Sequence, residues 1–75
     1  MKHETFIKGA RLLHGEQFSK PLAADLGVSL RTVTRWKSKE TPIPEGTDRK
    51  MVELLRAKTG EIAGTVHELL FPDQR

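Results

Sequence analysis

Apolar residues recur every three or four positions along most of this 75-residue chain. No stretch alternates apolar and polar residues in the way that a half-buried β-strand does. The pattern therefore predicts an all-α fold, a compact bundle of four to five short helices that forms a single domain over residues 1–75. The predicted helices cover residues 4–14, 20–26, 30–38, 48–58 and 61–70.

Residues with special backbone preferences mark the ends of these helices. Gly15 is placed to end the first helix in a left-handed conformation. Pro21 is compatible with the second helix because it falls in the first turn, where its missing N–H group would have no helical partner. Ser19, Ser29 and Thr47 stand where the second, third and fourth helices need N-caps.

The last predicted helix, residues 61–70, carries an apolar stripe formed by Ile62, Val66, Leu69 and Leu70. A core of four helices does not need all of these side chains. These side chains can pack within the chain or contact a second copy of it, and the sequence leaves both alternatives open. The helix is therefore a possible dimer element.

Residues 19–38 have the pattern of a helix-turn-helix motif. Ala23 is small where the two helices must cross closely, and Gly27 follows four positions later, where the turn requires positive φ. Apolar side chains occupy the positions that would attach both helices to the rest of the bundle. These are Leu22, Leu26, Val28, Val33 and Trp36.

A larger set of positions links this motif with a known family. The set comprises Ala23, Leu26-Gly27-Val28-Ser29, Val33, Trp36 and Ile43-Pro44. With these residues the chain resembles the lambda-repressor/Cro-like DNA-binding domains of phage and bacterial regulators. The resemblance implies a sequence-specific transcriptional regulator or repressor, often a homodimer, that binds double-stranded DNA at a pseudo-palindromic operator. It also implies a cytoplasmic, nucleoid-associated protein of a bacterial or phage-infected cell.

The charge distribution favours the same ligand. The net charge is +3, and its excess lies in the half that contains the motif. Residues 1–44 carry eight Lys or Arg against four Asp or Glu, whereas residues 45–75 carry five against six. A cationic face attracts polyanions, so a nucleic acid is the expected partner.

The third helix is expected to lie in the major groove with its N-terminal part against base edges. An Arg side chain can bind O6 and N7 of guanine, and an apolar side chain can pack on the methyl group of thymine. Arg31 and Arg35 are one helical turn apart, so both can face the DNA. The predicted base contacts are Leu30, Arg31, Thr34 and Arg35.

The start of the second helix is expected to meet the DNA backbone, because free N–H groups and a cation there both bind phosphate. Members of the resembled family often carry Gln at this point, where it touches a phosphate. Here Gln17 lies just before the helix, and Ser19 and Lys20 stand at its start. The predicted backbone contacts are Gln17, Ser19, Lys20, Ser29, Lys37 and Lys39.

Other classes of function are disfavoured. Neither His3-Glu4 nor His67-Glu68 continues into the His-Glu-x-x-His pattern of zinc proteases, and the chain has no cysteine. We therefore expect no catalysis, no metal, no cofactor, no small-molecule ligand and no membrane-spanning segment. The alternative function is a non-catalytic protein-interaction module, such as an antitoxin, antirepressor or assembly adaptor, on the same fold.

Overall fold

The computed structural model describes residues 1–72 and contains four α-helices in that range. Helix α1 spans His3–His14, α2 spans Ser19–Leu26, α3 spans Leu30–Lys37 and α4 spans Thr47–Leu70. None of the 72 described residues lies in a β-strand. The predicted all-α bundle, with a helix-turn-helix formed by its second and third helices, is confirmed.

Helix α1 buries one apolar face, with Phe6 and Ala10 fully inside. Gly9 lies on the same face. A Cβ atom at Gly9 would come within 3.0 Å of the Met51 side chain, so this glycine lets α1 approach α4 closely. The helix ends at His14, and Gly15 follows with the expected positive φ of 80°. Its ψ of −163° lies outside the left-handed helical region, so the predicted left-handed end is wrong in this respect.

The turn between α2 and α3 is a Schellman motif. Gly27 takes the left-handed conformation (φ 68°, ψ 31°), as the sequence predicts. Its N–H group donates to the Ala24 carbonyl, and the Val28 N–H group donates to the Ala23 carbonyl at 3.0 Å. These hydrogen bonds satisfy carbonyl groups at the end of α2 and fix the direction in which α3 starts.

One of the three predicted N-caps is confirmed. The Ser29 hydroxyl oxygen accepts a hydrogen bond from the Thr32 N–H group at 3.1 Å and so caps α3. Ser19 and Thr47 are not caps but the first residues of their helices, and neither helix has a side-chain cap. At α2 the reason is that Phe18 already has helical dihedral angles (φ −81°, ψ −16°), so the helical backbone starts before Ser19.

The two helices predicted over 48–58 and 61–70 are one continuous helix, the 24-residue α4. The predicted break at Gly60 is wrong because one glycine inside a helix costs only about 1 kcal/mol relative to Ala, which does not end it. Within residues 1–72, no helix combines the length and the hydropathy that crossing a membrane requires.

The core lies where α1, α2, α3 and the first half of α4 meet. Phe6 is at its centre, with its ring edge-to-face against Phe18 (6.4 Å between centroids) and Trp36 (5.9 Å). Ile43 anchors the loop between α3 and α4 on this core. The buried hydrophobic residues are Phe6, Ala10, Leu13, Phe18, Leu22, Ala23, Leu26, Val33, Trp36 and Met51.

Candidate nucleic-acid interface

Helix α3 presents a sharply divided surface. Val33 is fully buried and Trp36 is 5% exposed, so this side attaches the helix to the core. Leu30, Arg31 and Thr34 lie on the other side and are exposed. The structure thus brings three of the four predicted base-contacting side chains to one outward face at the N-terminal part of the helix.

The two arginines of α3 differ in their surroundings. Arg31 is exposed and forms no ion pair with any acidic side chain of residues 1–72. Arg35 is half-buried, and its Nε atom lies 4.0 Å from Oε2 of Glu40. Arg35 thus has an acidic neighbour that Arg31 lacks among residues 1–72, because Glu40 folds back beside it.

The position of Glu40 follows from a second Schellman motif, at the end of α3. The Glu40 N–H group donates to the Arg35 carbonyl at 2.9 Å, and the Lys39 N–H group donates to the Trp36 carbonyl at 3.1 Å. Lys39 is left-handed (φ 65°), a conformation that glycine usually supplies at this point. Because the sequence has no glycine at this position, it does not predict this turn.

Two hydroxyl groups on this surface already make hydrogen bonds within the chain. The Thr34 hydroxyl donates to the Leu30 carbonyl at 2.9 Å, which leaves its oxygen able to accept a bond from DNA. The Ser29 oxygen accepts the Thr32 N–H group and also shares a hydrogen bond with the Thr32 hydroxyl at 2.8 Å. Ser29 therefore caps α3, in addition to its predicted contact with the DNA backbone.

A second cationic group lies at the N-terminus of α2. Lys20 is exposed in the first turn, and Gln17 is exposed just before the helix. Lys37, the last residue of α3, places its ammonium group 5.1 Å from the centroid of the Phe18 ring. Since Phe18 immediately precedes Ser19, the structure brings Lys37 beside the start of α2, where its sequence position alone does not put it.

Phe18 is the residue that sequence reasoning missed here. It is 1% exposed and supports both Phe6 and the ammonium group of Lys37. Its spacing of four residues from Leu22, and of eight from Leu26, is the signal that could have identified it. Lys39 lies further away, in a shallow groove with His3, Thr41, Pro42 and Ile43 at the C-terminal end of α3.

Two histidines connect α1 to the helix-turn-helix motif. The Nε2 atom of His3 lies 2.8 Å from the Lys37 carbonyl oxygen, which ties the start of α1 to the end of α3. The His14 ring nitrogen lies 2.6 Å from a carboxylate oxygen of Asp25, which ties the end of α1 to α2. Residues 1–72 contain no group of three or more His, Asp or Glu side chains that could hold a metal ion.

Comparison with known proteins gives no match to a protein family, a curated protein or a solved structure. The resemblance to lambda-repressor/Cro-like domains accordingly stays a prediction that rests on residues 19–44. The arrangement itself consists of a braced helix-turn-helix with an exposed face on α3 and cations at the start of α2.

Proposed function

We propose that this protein is a sequence-specific, double-stranded DNA-binding transcriptional regulator of the lambda-repressor/Cro-like kind, which acts as a homodimer on a pseudo-palindromic operator. The observation that carries the proposal is the outward face of α3. It holds an arginine without an acidic partner among residues 1–72, next to an apolar side chain and a hydroxyl group. The core and the turn at Gly27 fix the direction of this face.

Arg31 is the proposed main base-reading residue. Its guanidinium group can donate two hydrogen bonds to O6 and N7 of a guanine, a contact worth about 1–3 kcal/mol of discrimination. Leu30 is 50% exposed one residue earlier and can pack against a thymine methyl group. Thr34 lies one helical turn later. Its hydroxyl oxygen can accept a hydrogen bond from the next base step, and its methyl group can pack against it.

Phosphate contacts are assigned to the start of α2. In its first turn the Ser19 and Lys20 N–H groups are left for a phosphate, since Pro21 has none and Leu22 donates to the Phe18 carbonyl. Lys20 and Lys37 add positive charge beside them. A backbone phosphate at this point would fix the position of α3 in the groove without reading sequence.

Arg35 has a different role from Arg31 in this proposal. Its pair with Glu40 is exposed on both sides and 4.0 Å long, a type of contact worth at most about 1 kcal/mol. A DNA phosphate can therefore displace Glu40. Such an exchange would bring Arg35 onto the DNA only after the complex has formed.

The decisive experiment is a selection from random duplex DNA with the purified chain, repeated with two variants. The unmodified chain should enrich a palindromic sequence. Arg31→Ala should lose the preference at one base pair of each half-site, about 5- to 150-fold, while Lys20→Ala should weaken binding to all sequences alike. Lys8→Ala, which removes an exposed cation of α1 outside the motif, is the matched control and should change neither.

The salt dependence of binding provides a separate measure. Each phosphate contact that is removed should lower the slope of log K against log salt concentration by about one. We expect this decrease for Lys20→Ala but not for Lys8→Ala. Equal slopes for the unmodified chain and Lys20→Ala would contradict the phosphate assignment.

The exposure of Leu30 at the start of the α3 face favours the second candidate, a protein-interaction module. An apolar side chain in that place also suits a protein groove. The same selection separates the two functions, because an interaction module enriches no DNA sequence and shows no difference between Arg31→Ala and Lys8→Ala.

A further inference from the structure

One face of α4 carries an apolar stripe that continues beyond the part of the helix packed on the core. Leu55 is half-buried against α1, but Ile62 is 56% exposed and Leu69 is 76% exposed. No residue of α4 after Lys58 is even half-buried. We call this surface the α4 stripe; it consists of Val52, Leu55, Thr59, Ile62, Val66 and Leu69.

The spacing of the α4 stripe is that of a helix-pairing seam. Its members follow one another at alternating intervals of three and four residues, which keeps them on one line facing a partner helix. Five of its six members are apolar, as the seam between two paired helices requires. The acidic residues nearby, Glu61 and Glu68, lie off this line.

We propose that the α4 stripe binds the α4 stripe of a second copy of this chain, with the two helices antiparallel. The intervals along the stripe run 3, 4, 3, 4, 3 and are the same in both directions. A reversed copy therefore aligns all six positions at once. Across the two copies, the pairs are Val52 with Leu69, Leu55 with Val66 and Thr59 with Ile62.

The charges along α4 select this orientation. Residues 47–58 carry four Lys or Arg and two Asp or Glu, whereas residues 59–70 carry two Glu and no Lys or Arg. A parallel pair would place the basic halves side by side, and the acidic halves likewise. An antiparallel pair places each basic half against the acidic half of its partner, which is the favourable arrangement.

The antiparallel pair also covers apolar side chains of the α4 stripe that the core leaves open. Val52 is 45% exposed although it lies on the half of α4 that packs on the bundle. In the proposed pair this residue meets the projecting end of the partner's helix. Exposed apolar residues on both halves of α4 thus have one explanation.

Sedimentation velocity without DNA tests the contact. The unmodified chain should sediment as a dimer of twice its 8.5 kDa mass at tens of micromolar. Ile62→Lys should raise the dissociation constant at least about 100-fold, because two charges would enter an apolar seam. Gly64→Lys adds the same charge on the opposite side of the helix, where the structure has open space, and should leave the dimer intact.

The orientation is tested with cysteines introduced into this cysteine-free chain. A mixture of the Val52→Cys and Leu69→Cys variants should form a mixed disulfide under mild oxidation, while Leu69→Cys alone should not crosslink. Rapid self-crosslinking of Leu69→Cys, without the mixed product, would show a parallel pair and overturn the proposal. A monomeric unmodified chain, or an Ile62→Lys variant that remains dimeric, would overturn the contact itself.

This inference extends the homodimer of the proposed function, yet its test contains no DNA, so the two can fail separately. If the dimer forms as described and no duplex sequence is enriched, the regulatory function is wrong and the contact stands. If a single half-site is bound by a chain that stays monomeric, the contact is wrong and DNA reading stands.

Discussion

The body of the molecule, residues 3–58, and the projecting half of α4, residues 59–70, share a pattern of apolar residues but differ in what surrounds those residues. Both are helical and both repeat apolar residues at helical spacing. In the body that spacing produces a buried core, whereas every residue of the projecting half is exposed. The molecule measures 50 Å along its longest axis and about 20 Å across.

The difference shows that an apolar stripe specifies a contact without specifying its partner. In the body, three other helices supply the facing surface, and aromatic rings fill the space between them. The projecting half has no facing surface within residues 1–72. Since most helical stability in proteins comes from packing, this half lacks, within residues 1–72, the stabilisation that packing gives to the body.

The largest expected effect is at the centre of the body. Trp36→Ala should lower the free energy of unfolding by about 3–5 kcal/mol, because it removes a 95% buried aromatic side chain that contacts Phe6. Urea unfolding followed by circular dichroism measures this change. A midpoint equal to that of the unmodified chain would show that the ring contributes nothing to the core.

A matched pair of leucines compares the two regions directly. Leu22→Ala in α2 should cost about 2–5 kcal/mol of unfolding free energy, because Leu22 is fully buried. Leu69→Ala should cost less than about 0.5 kcal/mol in the monomer, because Leu69 touches little of its own chain. Fluorescence of the single tryptophan reports on the body at concentrations too low for association. Similar costs for the two variants would remove the distinction between the regions.

A smaller change than that of the core variants, and of opposite sign, is expected at the turn after α3. Lys39→Gly should stabilise the body by about 1 kcal/mol, because a side chain in the left-handed conformation is strained and glycine is not. Thermal unfolding measures the gain, and Lys37→Gly, at the helical position two residues earlier, is the control that should destabilise. A loss of stability in Lys39→Gly would show that the lysine side chain outweighs the strain.

Much of the fold follows from the sequence because it depends on local signals. The left-handed Gly27 and the Ser29 cap are set by residues close to one another along the chain, and both are found as predicted. The continuity of α4 is not predictable in this way. Gly60 weakens a helix without ending it, so the sequence leaves the outcome open.

The sequence predicts which side chains of the candidate site are exposed, but not which side chains they contact. The helical spacing of Val33 and Trp36 determines which side of α3 faces outward. The approach of Glu40 to Arg35 depends on a turn in which lysine takes a conformation typical of glycine. The position of Lys37 over Phe18 depends on packing between separate helices, which spacing along the chain does not encode.

The two glycines of the projecting half, Gly60 and Gly64, have a consequence for how such a regulator would respond to its own abundance. Each lowers helix stability by about 1 kcal/mol, and a helix of about 12 unpacked residues is marginal in water. In dilute solution the projecting half would therefore be partly unfolded, and it would become fully helical when two copies pair. If the proposed dimer binds a two-half-site operator, its occupancy would then rise more steeply than in proportion to the amount of protein.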